Sequence, residues 1–180
     1  MFSRLLYILN ESGQTVLEPF VSGELYLKAE TVMKGYNHED DNEGVIDDQG
    51  WIRTGDVLYF DSEGFYYVVD RVKDIIKVNG MQVSPSELED VILTHPHVAE
   101  VGVIGIEKEN CGQVPKAFIV LKEGVNREKA PQEIDVFIRD TYFTNLERVA
   151  HFKYLRGGVE VRDELPKTSN GKIKRISLKE

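Results

Sequence analysis

The chain is poor in cysteine and in positive charge, and each shortage excludes a class of protein. Cys111 is the only cysteine among 180 residues, so no disulfide can form within the chain. Lys and Arg number 22 against 31 Asp and Glu, which gives a formal net charge of -9. Binding along a nucleic-acid backbone needs clustered Lys and Arg. We therefore expect no nucleic-acid partner, and we expect any bound nucleotide to be a small molecule held by a few residues.

Long apolar runs are also missing. No run of apolar residues approaches the ~20 residues of a membrane-spanning helix, so we expect no membrane span. The sequence ends in Leu178, Lys179 and Glu180, which do not form the Ser-Lys-Leu address of peroxisomal proteins. A cytoplasmic or a peroxisomal location is expected.

Residues for metal binding or nucleophilic catalysis are scarce. His95 and His97 have no cysteine or carboxylate partner at ligand spacing, so we interpret the pair as part of a helix-ending turn and expect no metal site. Cys111 lies in a predicted loop without a His-rich frame around it, and we interpret it as an ordinary thiol.

Two kinds of pattern follow each other along the chain. The first seventy residues contain short strand patterns broken by turns, whereas the remainder mixes strands with helices. We predict an α+β fold: a β-rich partial subdomain over residues 1–70, then a small α+β domain with a central sheet flanked by helices over residues 71–180. The predicted strands are residues 5–9, 24–28, 51–54, 57–60, 65–69, 75–78, 81–83, 98–106, 116–122, 152–155 and 158–161.

Both predicted helices have start signals. Ser84 can cap a helix by accepting a hydrogen bond from the backbone N–H of Glu87, and Pro85 suits the first helical position. This helix should extend to about Thr94. Pro131 begins the second helix. Its apolar side should comprise Ile134, Phe137, Ile138 and Tyr142.

Asp56 is the first candidate site residue. We predict a tight turn at Gly55 and Asp56, between the strands 51–54 and 57–60. The two oxygens of one carboxylate can accept hydrogen bonds from two adjacent hydroxyls, such as those of a ribose. The alternative is an Asp that only stabilises its own turn.

The charged junction at residues 70–74 is the second candidate. Alternating charges between two units are typical of a solvated linker, but a hinge is the functional alternative. Arg71 has a planar donor fork that could hold a ribose or phosphate oxygen.

Two turns with lysines complete the candidates. Lys77 and Gln82 flank a hairpin turn at Asn79 and Gly80, where glycine permits close approach of a ligand; an ordinary hairpin is the alternative. Lys172 ends a Pro/Ser/Asn/Gly loop that lacks the spacing of a Walker phosphate loop. The loop is either a plain basic segment or the carrier of an ammonium for developing phosphate charge.

Several segments of the sequence, taken in their order, resemble the last third of enzymes in the adenylate-forming superfamily. The similarity is greatest to 4-coumarate–CoA-ligase-like and luciferase-like members, and it extends from about Leu5 to Arg175. The segments that carry it are residues 23–25, 33–36, 50–56, 69–90, 95–124 and 165–175. Two departures are Ala29 and Glu30 in place of a common Gly-Pro pair, and Asn79 where a basic residue is common.

The resemblance implies a role for each candidate. By this resemblance, residues 1–70 are part of the last β-rich subdomain of a large adenylation domain, and residues 71–180 are the C-terminal lid domain. Asp56 corresponds to the ribose-binding acid and Arg71 to its companion, while Lys73 corresponds to the hinge about which the lid domain swings. The remaining candidates correspond to residues of the two half-reactions: Lys172 to the catalytic lysine of adenylation, Lys77 and Gln82 to residues that face the adenylate, and Gly80 to a backbone site near the pantetheine arm of CoA.

The resemblance also implies an activity, that of an ATP-dependent acid–CoA ligase. Such an enzyme converts a small carboxylic acid and ATP into acyl-AMP and pyrophosphate, and then forms acyl-CoA and AMP. The implied cofactors are ATP (AMP), CoA and Mg²⁺. We expect the chain to be inactive alone, because the phosphate loop, the acyl pocket and most Mg²⁺ contacts would belong to a missing large adenylation domain. The alternatives are a non-catalytic stand-alone lid module and a fragment of a luciferase-like monooxygenase.

Overall fold

The chain forms two compact units in a computed structural model that describes residues 5–38, 42–144 and 150–179. Of residues 141–144 and 150 only the backbone is described, so the predicted burial of Tyr142 lies outside the described side chains. The units are Met1–Lys73 and Asp74–Glu180. Among the described residues, no helix has the length and apolarity that crossing a membrane requires.

The first unit is a four-stranded antiparallel sheet in the order β1-β2-β3-β4. Its small core consists of Ile8, Val16 and Leu58, with Leu25 and Phe60 packed against them. The strands are β1 (Leu5–Leu9), β2 (Gly23–Lys28), β3 (Ile52–Phe60) and β4 (Tyr66–Arg71).

The predicted tight turn at Asp56 is wrong. One continuous strand, β3, replaces the two predicted strands at residues 51–54 and 57–60. Gly55 has a positive φ of 71°, which suggested a turn in the sequence because Gly and Asp are both turn formers. In a paired strand the same residues form a bulge instead.

The bulge has a defined register. Glu24 pairs with Val57 and Tyr26 pairs with Arg53, so three residues of β3 lie opposite one residue of β2. The extra length bends the strand locally and changes the direction of the side chains within it. Asp56 is one of these three residues, so the irregular backbone determines where its carboxylate lies.

In the second unit, the described residues form a five-stranded sheet and two α-helices. β8 is central, since it pairs with β5, β7 and the parallel strand β9. The strands are β5 (Ile76–Val78), β6 (Met81–Val83), β7 (Val98–Lys108), β8 (Gly112–Leu121) and β9 (Val159–Val161), and the helices are α1 (Pro85–Leu93) and α2 (Ala130–Thr144). The α+β fold class is thereby confirmed.

Alternation along β7 and β8 separates two cores. Val103 and Ile119 belong to the cluster that also contains Ile92 of α1 and Ile134 of α2. Ile104 and Phe118, the next positions, belong to a second cluster with Leu165 and Leu178. Because successive side chains of a strand point to opposite faces, the helices cover one face of the sheet and the C-terminal segment packs on the other.

The helix signals were interpreted correctly, but one strand was not. Ser84 caps α1 by accepting a hydrogen bond from the backbone N–H of Glu87 at 3.2 Å, and Thr94 ends the helix. Residues 152–155, predicted as a strand, instead overlap a 3₁₀ helix, Ala150–Lys153. Phe152 packs against the helix-side core from this 3₁₀ helix, so tertiary packing overrides its β propensity.

Candidate functional site

Asp56 and Arg71 form an ion pair in the first unit. They are directly opposite each other on β3 and β4, and Arg71 Nε lies 2.7 Å from Asp56 Oδ1. The Asp56 side chain is 32% exposed and the Arg71 side chain is 56% exposed. A surface ion pair contributes little to folding stability, whereas an exposed carboxylate beside a guanidinium is well placed to contact the hydroxyls of a ligand.

The bulge holds Asp56 through neighbouring groups. Thr54 donates its hydroxyl to the carbonyl oxygen of Leu25 at 2.9 Å and accepts from the backbone N–H of Asp56 at 3.1 Å. The backbone N–H of Val72 donates to the carbonyl oxygen of Gly55 at 2.9 Å. These bonds fix the backbone on both sides of the carboxylate.

Lys73 is the last residue of the first unit, and the division falls directly after it. Its side chain is exposed. Three residues earlier, Asp70 is buried and its side chain accepts a hydrogen bond from the backbone N–H of Arg71 at 2.9 Å. The assignment of Lys73 as a hinge, and of the two units to named parts of a larger enzyme, stays a prediction.

The hairpin of β5 and β6 brings Lys77 and Gln82 together. They are cross-strand partners, so their side chains lie on the same face of the hairpin. Asn79 and Gly80 have positive φ values of 49° and 79°, which matches the type I′ turn predicted from the Asn-Gly pair. The space around Gly80 is open, because a Cβ there would meet no atom within 4 Å.

Lys172 lies on a turn closed by its own backbone. The N–H of Thr168 donates to the carbonyl oxygen of Lys172 at 2.7 Å, and the N–H of Lys172 donates to Thr168 Oγ1 at 3.2 Å. Lys167 and Ile173 form a bridge beneath the turn. The Lys172 side chain is exposed, and its ammonium has no hydrogen-bond partner within the described parts of the chain.

Residues 87–172 match the family of AMP-binding enzyme C-terminal domains. Over 174 residues the chain is 40% identical to luciferin 4-monooxygenase of Photuris pensylvanica, and over 159 residues it is 38% identical to a probable 4-coumarate–CoA ligase 1 of Dictyostelium discoideum. These matches cover 96% and 88% of the chain. The chain belongs to the adenylate-forming superfamily. It spans only 30% and 27% of these two relatives and matches their C-terminal portion.

A solved structure of this superfamily superimposes on nearly the whole chain. The o-succinylbenzoate CoA synthetase of Bacillus subtilis, in complex with an acyl-adenylate intermediate, has a TM-score of 0.79 and 37% identity. The match covers 99% of this chain and 34% of the synthetase. The described fold is therefore that of the C-terminal part of an adenylate-forming enzyme.

The sequence analysis did not predict a charged cluster on the tail-side face of the sheet, which is the face on which the C-terminal segment packs. Glu160 accepts from Lys116 Nζ at 2.8 Å and from Arg162 Nε at 3.0 Å, and both cations lie over the Phe118 ring. The Lys116 hydrogen bond is the main reason that the pKa of Glu160 is lowered. These residues line a cavity of about 350 Å³. Lys116 is far from Glu160 and Arg162 in the sequence, and only the pairing of β8 with β9 brings the three charged side chains together.

Arg175 is a second missed residue. It lies just after the Lys172 turn and contacts Glu89, Ser86 and Asp74, all of which are far away in sequence. The basic tail of the sequence gave no signal of these partners.

Among the described residues, no group of three His, Cys, Asp or Glu side chains could hold a metal ion.

Proposed function

We propose that this chain is the C-terminal portion of an ATP-dependent acid–CoA ligase. The first half-reaction joins a small carboxylic acid to AMP and releases pyrophosphate. In the second, the thiol of CoA displaces AMP. One observation carries the proposal: the likeness, over almost the entire chain, to a CoA synthetase solved with its acyl-adenylate intermediate.

Lys172 is the residue that we assign to adenylation. Attack of a carboxylate on the α-phosphate brings two anions together, and a positioned cation offsets their repulsion. An exposed ammonium on a closed turn suits this task, because no partner within the described residues holds it elsewhere. Its removal should raise the barrier by about 3–4 kcal/mol, as for other charge-stabilising donors.

A different face would serve thioester formation. We assign Lys77 and Gln82 to contacts with the adenylate and Gly80 to the passage of the pantetheine arm, since the space beside Gly80 is open. Lys73 would be the hinge that exchanges the two faces. The Asp56–Arg71 pair would bind the ribose of ATP and of AMP.

Mg²⁺ would be held mainly by the nucleotide and by a large adenylation domain. The same Bacillus subtilis synthetase has been solved with ATP and a magnesium ion. Within the part of this chain that the structure describes, no group of three His, Cys, Asp or Glu side chains could hold a metal ion.

The surface of the first unit supports the proposal of a missing large domain. Several large apolar side chains are exposed there, and two are more than 70% exposed: Leu17 at 83% and Val68 at 72%. The others are Leu5, Leu6, Phe20, Val21, Met33, Tyr36, Phe65, Tyr66 and Tyr67. Extended apolar surface of this kind marks contact with another protein part.

A second candidate function is oxygenation of an adenylate. The 40% identity to luciferin 4-monooxygenase supports it. Both candidates need the adenylation step and the same residues for it, and only the second step distinguishes them. Release of AMP with formation of a CoA thioester favours the ligase, whereas oxygen consumption with light emission favours the monooxygenase.

The proposal is tested in a chimera in which this chain replaces the matching part of the Bacillus subtilis synthetase, with o-succinylbenzoate as the acid. Lys172→Ala should abolish pyrophosphate release but retain thioester formation from supplied acyl-adenylate. Lys174→Ala is the matched control and should retain both. This chain alone should form no AMP. A folded, unmutated chimera without pyrophosphate release would overturn the proposal, as would equal loss of both steps in Lys172→Ala.

A further inference from the structure

We propose that Arg175 is a positioning residue, which holds the Lys172 turn in place for acyl-AMP formation. The inference rests on the proposed role of Lys172. Arg175 follows Lys172 by three residues, at the start of a 3₁₀ helix, Arg175–Leu178. Its side chain is 21% exposed, so the guanidinium is directed into the protein while the Lys172 ammonium is exposed.

A bidentate ion pair anchors Arg175 to α1. Its Nε donates to Glu89 Oε1 at 3.0 Å and its Nη2 donates to Glu89 Oε2 at 2.6 Å. Two parallel charge-assisted bonds fix the orientation of the guanidinium as well as its position. A lysine cannot reproduce this geometry, since its ammonium is a single point of charge.

Glu89 is itself held by the sheet. Its Oε1 accepts from the backbone N–H of Val103, in β7, at 2.8 Å, and its side chain is only 16% exposed. A continuous set of polar contacts therefore extends from β7 through Glu89 to Arg175. The segment that carries Lys172 is thus tied to the sheet of the second unit.

Two further contacts join Arg175 to neighbouring segments. Its Nη2 donates to Ser86 Oγ, in the first turn of α1, at 2.8 Å. Its Nη1 lies 3.3 Å from Asp74 Oδ2, and Asp74 is the first residue of the second unit. The guanidinium therefore connects the Lys172 segment to the residue next to the proposed hinge, Lys73.

The short path from Arg175 to Lys172 transmits this anchoring. The backbone N–H of Lys174 donates to the carbonyl oxygen of Pro166 at 2.8 Å, which closes the base of the turn directly beside Arg175. Removing the guanidinium leaves the base attached by the Lys167–Glu100 ion pair, 2.7 Å long, and by the apolar side chains of Ile173 and Leu178. We expect the turn to remain on the sheet but with a less well-defined position for the ammonium.

The test compares Arg175→Met with Arg162→Met in the chimera. Both arginines are paired and largely covered, at 21% and 29% exposure, but only Arg175 adjoins the Lys172 turn. Arg175→Met should lower kcat of pyrophosphate release by up to about 100-fold, because small misplacements of reacting groups have effects of this size. KM for ATP and thioester formation from supplied acyl-adenylate should change less than about twofold, and Arg162→Met should change neither step by more.

Four outcomes are informative. Equal loss of both half-reactions in Arg175→Met, or no loss in either, would overturn the positioning role. If Arg175→Met does not fold, Arg175→Lys decides: it keeps the charge but not the bidentate geometry, and selective loss of adenylation is expected. Unimpaired adenylation in Lys172→Ala would refute the proposed function itself, whatever Arg175 does.

Discussion

Some side chains of this protein interact with residues close to them in the sequence, and others interact with distant residues. His95 depends mostly on near ones. The backbone N–H of His95 donates to the carbonyl oxygen of Ile92 at 3.0 Å, and its Nδ1 accepts from the N–H of His97 at 3.3 Å. The interpretation of this segment as a helix-ending turn is thereby confirmed.

The titration of His95 provides a prediction at this scale. Burial lowers its pKa below the ordinary 6.5, and the positive charges of His97 and Lys122 act in the same direction, against the opposing charge of Glu133. A lowered folded-state pKa means that the neutral ring contributes stability above pH 6.5, and that this contribution is lost as the pH falls through the folded value.

NMR titration of the His95 ring should therefore give a midpoint below 6.5. His95→Gln should make the free energy of unfolding less sensitive to acid in that range. His97, which is 44% exposed beside Glu133, serves as the comparison within the same spectra. A midpoint for His95 above 6.5 would contradict the prediction.

At the scale of a segment, the C-terminal segment depends on contacts with the sheet, and Leu178 packs closely on Gly102. A Cβ at Gly102 would lie 2.7 Å from Leu178 Cδ1. We predict that Gly102→Ala displaces the C-terminal segment and lowers the free energy of unfolding by about 1–3 kcal/mol, as overpacking does.

A double-mutant cycle tests the contact between them. Leu178→Ala removes the colliding atom, so Gly102→Ala should have a smaller effect in that background than in the unmodified chain. Denaturant unfolding of the four proteins measures the difference. Additive effects would mean that the two residues do not meet as described.

The β5–β6 hairpin gives a second prediction for an element. Gly80 and Gly124 share a φ of 79° and open surroundings, so alanine at either should cost about 1–2 kcal/mol of backbone strain. Only Gly80→Ala should also slow thioester formation in the chimera, if the pantetheine arm passes there. Equal effects of both substitutions on the thioester step would remove that assignment.

At the scale of the whole molecule, the two units have hydrophobic cores of very different size. Among the residues whose side chains are described, the two clusters of the second unit contain seventeen buried residues, thirteen on the helix side and four on the tail side. The first unit has a cluster of three, together with exposed apolar side chains such as Leu17 and Val68. A sheet with so little buried on it is marginal by itself.

We predict that residues 74–180, expressed separately, unfold cooperatively, whereas residues 1–73 do not form a stable fold. Circular dichroism during urea denaturation distinguishes the two, with the complete chain as the reference. A sharp transition for residues 1–73 would show that the first unit needs no covering partner, and would weaken the proposal of a missing large domain.

Predictions from the sequence were right where a few neighbouring residues decide the structure. The Ser84 cap, the Asn79–Gly80 turn and the start of α2 near Pro131 each depend on side chains and backbone within a few positions. The order of the motifs was also sufficient to indicate the superfamily, which the comparisons confirmed.

Errors occurred where distant pairing decides. Gly55 and Asp56 look like a turn in isolation, but pairing on both sides keeps β3 continuous and makes them a bulge. Residues 152–155 have the composition of a strand, yet the core binds Phe152 from a 3₁₀ helix.

The sequence by itself determined the Asn79–Gly80 turn, the Ser84 cap and the family to which the chain belongs, because these depend on residue types at short separations. Only the tertiary structure decided that Arg71 meets Asp56 and that Arg175 reaches Glu89, 86 positions earlier in the chain. The reason is physical: strand register and packing bring such partners together, and neither is encoded in the residues that surround them in the sequence.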